Sequence, residues 1–334
     1  MRVIERHCSR APFLAALVLL GAACADTPTQ PEPARWTSLA PGLTCPAALV
    51  VTGVTGSSEA VNYPAPESTG DTALETLACT PASGVTFRLG DTTVTCRGRD
   101  RLGREVACGF VVTLQPAELG VQTFVAFGDS VTLGENALTG PGVIPLFVDV
   151  ANAYPTRLQG KFDADFPGQG IRAINEGRGG ERALEGVSRL PAVLSQHKPG
   201  GLLLLHGYND LLIDGVPAVP NVAKALGEMV RIGRTAGVAH VFVSTITPSR
   251  AGQRQIPPAT ILEANFFIRQ MAAAEGVVLV DAYDAFFGQE SVLVGDDGLH
   301  LTPAGNEVLA TSFYTAVRNR VPTSLLASPS RSRR

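Results

Sequence analysis

The sequence lacks the features that would indicate a nucleic-acid partner or a membrane-spanning bundle. Its 334 residues carry a net charge of −3, and three arginines gather in the C-terminal SPSRSRR. Because nucleic-acid binding calls for a basic face, this balance argues against such a partner. After the N-terminal stretch, no segment is long and apolar enough to cross a bilayer. Residues 323–334, which include the arginines, are predicted to be a disordered tail.

Cysteine is absent from the C-terminal two thirds of the chain, and no pair has the CxxC spacing. After the N-terminal segment, the cysteines are Cys45, Cys79, Cys96 and Cys108. Without a CxxC pair or a nearby histidine they do not indicate a metal site, so we expect neither a metal nor a cofactor. In an oxidising compartment four cysteines are typical of two disulfides, for which three connectivities exist.

The N-terminus reads as an export signal. Basic residues precede an apolar stretch, Ala11–Leu20, that is too short to span a bilayer. The following LLGAAC resembles a bacterial lipoprotein signal, although Gly21 stands where that family more often has leucine. The resemblance implies removal of residues 1–23 and lipidation of Cys24, whereas ordinary cleavage at ACA is the alternative. Residues 24–40 are Pro-rich and polar, as in a tether. We therefore expect an exported protein of a bacterial cell envelope, lipid-anchored or else periplasmic or secreted.

Residues 41–115 have the texture of a small all-β sandwich. Short β-branched runs such as GVTFRLG and TTVTCRGRD alternate with Gly, Pro and Asp. The stretch CTPASGVTFRLGDTTVTCRGRDRLGREVACGFVVTL resembles the hyalin-repeat (HYR) module, an immunoglobulin-like domain. That resemblance implies an adhesion or spacer module with cell-surface contacts and no catalysis. It also implies the disulfides Cys45–Cys108 and Cys79–Cys96.

From residue 120 to 322 the pattern changes to apolar strands alternating with amphipathic helices. The strand-like runs are TFVAFG, IRAINEG, GLLLLHG, HVFVSTIT and VVLVDAY. Asn221 and Gly237 are predicted to bound one helix, Gly276 to end the next, and Thr302 to begin the last. Their apolar stripes are Val222, Leu226, Met229 and Val230, then Ile261, Ala264, Ile268 and Met271, then Leu309, Phe313 and Val317. The pattern predicts a parallel sheet covered on both faces by helices.

Polar residues are concentrated where these strands end. The apolar run in FVAFGDSVTLG stops at residues 128–130, and two further strands end at 175–180 and 207–210. Asp297 and His300 precede the last helix. Because active residues of such sheets lie at the carboxyl ends of the strands, these pieces should meet at one edge. They supply the nucleophile, base, orienting group and oxyanion donors of an acyl-transfer site.

The same four pieces, FGDSVTLG, NEGRGGE, GYND and DGLH, resemble the blocks of the SGNH hydrolases, the GDSL-type esterase/lipase family. The resemblance covers residues 121–320, and no G-x-S-x-G elbow of the α/β-hydrolases is present. It implies a three-layer α/β/α, flavodoxin-like fold. It also implies a serine hydrolase that acts on ester bonds without a cofactor.

Carried over residue by residue, the resemblance makes Ser130 the nucleophile, His300 the base and Asp297 the group that orients it. The oxyanion donors would be the backbone N–H groups of Ser130 and Gly180 and the side-chain amide of Asn209. A serine hydroxyl is a poor nucleophile until an imidazole takes its proton, which fits these roles. A helix N-cap remains the alternative role for Ser130.

Several neighbouring residues have non-catalytic interpretations. Asp296 is a rival to Asp297 as the orienting carboxylate, although its spacing to the histidine is unfavourable. We expect Asp129 to brace the loop through hydrogen bonds and Asp210 to act as a helix cap. His206 is predicted to be a satisfied core histidine. Arg182 stands where relatives often have threonine, so the sequence does not predict the shape of the nearby pocket wall.

The sequence thus predicts an exported serine esterase that forms an acyl-serine intermediate. Two alternatives are a polysaccharide O-deacetylase of the same family and a surface adhesion protein with a degenerate hydrolase domain. The ester itself is not identified, because this fold hosts many ester substrates. The apolar residues 139–155 fit either an acyl pocket or the core.

Overall fold

The computed structural model describes residues 40–137 and 146–325. The predicted signal peptide and nearly all of the predicted tether lie outside the described residues. The same holds for residues 138–145 of the apolar stretch and for residues 326–334 of the predicted tail. Within the described ranges, no helix combines the length and the apolarity of a membrane span.

The N-terminal region is a small β domain. Its strands are β1 (Leu43–Thr44), β2 (Leu49–Val54), β3 (Ser58–Ala60), β4 (Glu67–Ser68), β5 (Leu74–Thr80), β6 (Thr86–Arg88), β7 (Gly90–Asp100) and β8 (Glu105–Leu119). Strand β7 lies between β5 and β8 in antiparallel pairing, and β2 pairs with β8 in parallel. Side chains of these strands enclose a small core around Val94, Phe110 and Val112.

Two disulfides cross this domain. Cys45 is bonded to Cys108 of β8, and Cys79 of β5 is bonded to Cys96 of β7. Cys79 and Cys96 also face each other directly in the β5–β7 register. Both pairs are the ones that the hyalin-repeat resemblance implies.

The rest of the described chain forms an α/β domain. Its strands are β9 (Thr123–Gly128), β10 (Glu135–Ala137), β11 (Leu146–Val148), β12 (Arg172–Gly177), β13 (Gly201–Leu205), β14 (His240–Ser244), β15 (Val278–Val280) and β16 (Thr323–Leu325). Its α-helices are α1 (Ser130–Leu133), α2 (Tyr154–Asp165), α3 (Ala183–His197), α4 (Tyr208–Asp214), α5 (Val219–Thr235), α6 (Pro258–Glu275), α7 (Ala282–Phe286), α8 (Glu290–Leu293) and α9 (Pro303–Arg320). A 3₁₀ turn, Val216–Ala218, precedes α5.

Five strands form one parallel sheet in the order β12-β9-β13-β14-β15. The connection from β9 to β12 runs in the opposite direction from the one between β12 and β13. Because such crossovers are right-handed, α2 and α3 lie on opposite faces. Helix α9 packs on α2, whereas α5 packs on α3 and α6. The predicted three-layer, flavodoxin-like fold is therefore confirmed, and its topological switch lies at β9.

Most predicted helix boundaries agree with the structure, but the start of α5 does not. Helix α6 ends at Gly276, and Thr302 caps α9 by accepting a hydrogen bond from the Gly305 N–H at 3.1 Å. Asn221 was predicted as the cap of α5, yet it lies inside the first turn. The helix begins at Val219, three residues before the start that an Asn221 cap would give, because Pro220 fits the first turn, where a missing N–H breaks no hydrogen bond.

The boundary between the domains also differs from the prediction. Strand β8 continues past residue 115 to Leu119, and Thr323–Leu325 pairs antiparallel with its end. Part of the predicted disordered tail is therefore a strand. Pro322 explains this return, because the residue before a proline is held in an extended conformation and the chain cannot continue α9.

A side chain of the α/β domain also bonds to the end of β8. The side-chain oxygen of Gln169 accepts a hydrogen bond from the Leu119 N–H at 3.0 Å. The Gln169 amide nitrogen donates to the carbonyl of Ala117. The last residues of β8 are therefore bonded to both domains.

Candidate active site

Ser130 is the first residue of α1 and is separated from the carboxyl end of β9 by Asp129 alone. Asp129 caps this short helix, its Oδ1 accepting the Val131 N–H at 3.1 Å, which agrees with the bracing role predicted for it. The turn is tight, because a Cβ atom at Gly128 would overlap Thr132. Residues at the start of a helix have N–H groups without intrahelical partners, which favour a developing anion.

Ser130, His300 and Asp297 form one hydrogen-bonded chain. The Ser130 Oγ lies 2.8 Å from the His300 Nε2, and the His300 Nδ1 lies 2.6 Å from the Asp297 Oδ2. The other carboxylate oxygen of Asp297 accepts the N–H groups of Leu299 and His300, each at 3.0 Å. Burial raises the pKa of Asp297, but its bonds with His300 and these N–H groups outweigh burial and lower the pKa below its usual value. The carboxylate is therefore charged beside the imidazole.

The loop that carries this pair is held by the segment after β14. Asp296, the rival orienting residue, makes an ion pair with Arg250 instead of contacting His300. The Arg254 N–H donates to the Asp297 carbonyl at 2.7 Å. Asp296 is thus paired with Arg250, whereas Asp297 bonds to the imidazole and its Oδ2 also lies 3.7 Å from the Arg254 Nη1.

The residues predicted as oxyanion donors lie at the ends of the two strands adjacent to β9. Gly180 follows β12 and has a φ of +74°, a conformation that other residues rarely adopt. Asn209 lies in the first turn of α4, and its Nδ2 donates to the Glu181 carbonyl at 3.0 Å. An amide nitrogen carries two hydrogens. This bond therefore fixes the orientation of the amide and leaves its second N–H for a ligand.

A buried ion pair between Arg189 and Glu181, which the sequence does not predict, lies beneath the Gly180 turn. Arg189 of α3 donates to both carboxylate oxygens of Glu181, each at 2.6 Å, and its Nη2 donates to the Glu176 carbonyl at 3.0 Å. The guanidinium also stacks 4.1 Å above the Phe127 ring. Despite burial, the nearby His206 ring and the hydrogen bonds and charge of Arg189 lower the pKa of Glu181 to about 2. No local sequence pattern marks this ion pair, because it depends on the distance between α3 and the turn after β12.

The other neighbours of the site have structural contacts. Asp210 caps α3 rather than its own helix, since its Oδ2 accepts the Ala183 N–H at 2.9 Å. Arg182, whose role was open, pairs with Asp214. This contact joins the start of α3 to the end of α4, so the two elements form one stretch of the rim.

The prediction of a satisfied core histidine at position 206 is only half correct. His206 is fully buried, but neither ring nitrogen has a hydrogen-bond partner among the described residues. Its Nε2 lies 3.3 Å from the Glu181 Oε2 without hydrogen-bond geometry. A Cβ atom at Gly186 would lie 2.9 Å from the same nitrogen, so the α3 backbone packs closely against the ring. The ring is therefore held by packing.

Asp129 carries the other strongly perturbed carboxyl group of the site. Burial raises the pKa of Asp129 to about 6, and the neighbouring His206 and the Val131 N–H only partly oppose this. Its Oδ2 has no hydrogen-bond partner in the described part of the chain. Within the same part, no three His, Cys, Asp or Glu side chains are grouped to hold a metal ion.

A parallel α/β/α sheet with a Ser–His–Asp chain at its carboxyl edge defines the class of protein: it is a serine hydrolase. The sequence model of the GDSL-like Lipase/Acylhydrolase family matches residues 126–308. The chain belongs to this family, as its four sequence blocks predict.

Individual proteins resemble the chain more distantly. It is 24% identical over 207 residues to Esterase TesA of Pseudomonas aeruginosa, covering 62% of this chain and 93% of that protein. The crystal structure of a lipase/acylhydrolase from Enterococcus faecalis aligns with a TM-score of 0.50 and 21% identity, over 61% of this chain and 98% of that one. Est24, a carbohydrate acetylesterase from Sinorhizobium meliloti, aligns with a TM-score of 0.51 and 19% identity, over 59% and 99%. About two fifths of this chain is not covered by either structure.

Proposed function

We propose that the protein hydrolyses carboxylic esters through an acyl-serine intermediate, with Ser130 as the nucleophile, His300 as the base and Asp297 as the orienting residue. The observation that carries this proposal is the continuous chain from the Ser130 Oγ to the His300 Nε2 at 2.8 Å and from the His300 Nδ1 to Asp297 at 2.6 Å. The first distance suits transfer of the serine proton to the imidazole, and the second lets Asp297 hold the ring in position.

In the first half of the reaction the neutral Nε2 of His300 accepts the Ser130 proton while Oγ attacks the ester carbonyl. The carbonyl oxygen becomes an anion beside the N–H groups of Ser130 and Gly180 and the amide of Asn209. These donors act where the charge develops, which is where they lower the barrier most. The imidazolium then gives its proton to the departing alcohol. Asp297 holds the Nδ1 proton throughout and stabilises the imidazolium without taking the proton.

In the second half a water molecule takes the place of the alcohol. His300 removes a proton from this water, the resulting hydroxide attacks the acyl-Ser130 carbonyl, and the same donors stabilise the second anion. Collapse of this intermediate breaks the bond to Oγ, and His300 returns its proton to Ser130. The products are the carboxylic acid and the regenerated enzyme.

A fluorophosphonate probe tests the nucleophile directly. We expect the probe to label the wild-type protein at Ser130, and Ser130→Ala to lose labelling and at least 10⁴-fold in kcat for a neutral aryl ester. The matched control is Ser188→Ala, because Ser188 is exposed on α3 and its hydroxyl bonds only within that helix. Absence of labelling in folded wild-type protein would favour the alternative of a degenerate hydrolase domain.

The surroundings of the site favour an ester with an apolar portion. Leu184 lies in the first turn of α3 and Ile213 near the end of α4, and their side chains are 68% and 64% exposed. The contact between Arg182 and Asp214 joins these two elements. Phe147 of β11 is also exposed. A panel of esters that varies acyl length and alcohol tests this preference, and selective release of acetate from acetylated polysaccharide would instead favour the deacetylase.

We also propose that the chain is exported and lipid-anchored in a bacterial envelope, and that its HYR-like domain spaces the enzyme from the membrane or contacts the cell surface. The sequence LLGAAC before a Pro-rich tether supports the anchor, and two disulfides in the β domain support an oxidising compartment. Cys24→Ala should move the protein from the membrane fraction to the soluble fraction. Unchanged partitioning would contradict lipidation.

A further inference from the structure

A second carboxylate lies beside the base, on the side opposite Asp297. Glu135 is the first residue of β10, and its Oε2 lies 3.7 Å from the His300 Nε2, the same nitrogen that contacts Ser130. The side chain is only 17% exposed. Its other oxygen lies against Gly179, because a Cβ atom there would overlap the Glu135 Oε1. The carboxylate is therefore wedged between the base and the turn that leads to Gly180.

The position of Glu135 beside the His300 Nε2 places its carboxylate near the alcohol portion of an ester substrate. During acylation the His300 Nε2 must deliver its proton to the oxygen of the departing alcohol, so that oxygen approaches Nε2 closely. An atom that contacts Nε2 therefore lies near the alcohol portion of the ester. A charged group on that alcohol would be attracted or repelled by the Glu135 carboxylate in a partly buried site, where screening by solvent is weak.

We propose that Glu135 is a specificity-determining residue that selects esters by the charge of their alcohol portion, favouring cationic alcohols and disfavouring anionic ones. This inference rests on the proposed function, because it requires a leaving alcohol at Nε2. It goes further by assigning a substrate class to the leaving-group side of the site.

Three aryl acetates that share one acyl group test the proposal: phenyl acetate, 3-acetoxybenzoate and 3-(trimethylammonio)phenyl acetate. All three form the same acetyl-Ser130, so kcat/KM reports the step in which the alcohol leaves. For Glu135→Gln we expect kcat/KM, relative to wild type and to phenyl acetate, to rise about 5-fold for the anionic ester and to fall by a similar factor for the cationic one. Taking the ratio of variant to wild type removes the intrinsic reactivity of each leaving group.

The matched control is Glu263→Gln, since Glu263 is exposed on α6 and its removal changes the net charge equally. It should leave all three ratios unchanged. A change of the same size for all three esters in Glu135→Gln would overturn the proposal, because it would indicate an effect through His300 rather than on substrate charge. If the glutamine variant does not fold, Glu135→Ala takes its place.

The outcomes also separate this inference from the function on which it rests. If wild-type protein is labelled by the fluorophosphonate and hydrolyses phenyl acetate, but the charge ratios do not move, only the role of Glu135 is wrong. If the folded wild-type protein is neither labelled nor active on any of the esters, the proposed function is wrong and the role of Glu135 is wrong with it.

Discussion

The two domains use buried polar groups in different ways. In the described β domain the buried polar residue is Asp100, which closes a turn by accepting the N–H groups of Leu102 and Arg104, each at 2.9 Å. In the α/β domain the buried acidic residues and histidines are Asp129, Glu181, His206, Asp210, Asp297 and His300. All six belong to the loops and first helical turns at, or beside, the carboxyl edge of the sheet.

This difference shows which buried polar groups are structural and which indicate a function. Burying a charge is unfavourable unless hydrogen bonds or partners compensate it. Asp100 is fully compensated by its own turn. Around Ser130, by contrast, Asp129 has an oxygen and His206 has two nitrogens without hydrogen bonds among the described residues. Polar groups that folding alone would not place there are concentrated beside the nucleophile.

The largest loss of kcat in this set of predictions is expected when Asp297 is replaced, and the neighbouring Asp296 serves as the comparison. Asp297→Asn should lower kcat by about 10³- to 10⁴-fold, because an amide that donates to the His300 Nδ1 favours the wrong tautomer of the ring. Asp296→Asn should change kcat little, since Asp296 pairs with Arg250. Steady-state kinetics of the two variants measure this. A larger loss for Asp296→Asn would reverse the assignment.

A smaller loss is expected at Asn209. If its amide stabilises the oxyanion, Asn209→Ala should lower kcat by about 10²- to 10³-fold. KM should hardly change, because ground-state binding uses this contact little. Asn209→Asp should be worse, since it places a carboxylate beside the developing negative charge.

The alternative for Asn209 is a purely structural role through its bond to the Glu181 carbonyl. In that case both variants should lose activity in step with their folded fraction. Melting temperature, kcat and KM measured together separate the two roles. A large loss of stability with near-normal kcat would remove Asn209 from the oxyanion site.

The parts of the site that the sequence predicts are those that follow from local patterns. Strand-ending motifs such as Gly128-Asp129-Ser130 occur in fixed order, and the carboxyl ends of parallel strands meet at one edge whatever the details of packing. Glu135 and Arg189 could not be predicted in this way, because their roles depend on distances between elements far apart in sequence. The return of Thr323–Leu325 along β8 likewise depends on the tertiary position of α9.

The next prediction concerns the dependence of stability on pH, which should have opposite signs for Asp129 in the α/β domain and Asp100 in the β domain. Burial raises the pKa of Asp129 to about 6, above its value of about 3.9 in an unfolded chain. The folded state then binds more protons between these values, so this group stabilises fully below about pH 4 and its contribution is lost as the pH rises towards 6. Asp129→Asn should therefore raise the free energy of unfolding at pH 7 relative to pH 4.5 by about 1–3 kcal/mol, compared with wild type.

Asp100 provides the matched control for Asp129. Burial raises the pKa of Asp100, but its bonds to Arg104 and to the Leu102 N–H outweigh burial and lower the pKa below its usual value. Its contribution is therefore present above the unfolded pKa and lost in acid, so Asp100→Asn should destabilise the protein at pH 7 and less so at low pH. Denaturant unfolding of both variants at two pH values measures the signs. Shifts of the same sign in both would contradict the contrast between the domains.

The smallest effect on activity is expected from the disulfides, which lie wholly in the β domain. Replacing either pair of cysteines by serine should destabilise this domain by about 2–4 kcal/mol, because the unfolded chain regains the entropy of an open loop. The Cys45–Cys108 bond closes a loop of 63 residues and the Cys79–Cys96 bond a loop of 17, so removal of the first should cost about 1 kcal/mol more.

The activity of these variants should stay within about twofold of wild type, because all the groups proposed to react lie after Gly120, in the other domain. Calorimetry and ester hydrolysis on the same samples test both statements. Loss of kcat in step with unfolding of the β domain would show that the bonds of Gln169 to the end of β8 transmit its unfolding to the catalytic edge, and the two domains would then be one cooperative unit.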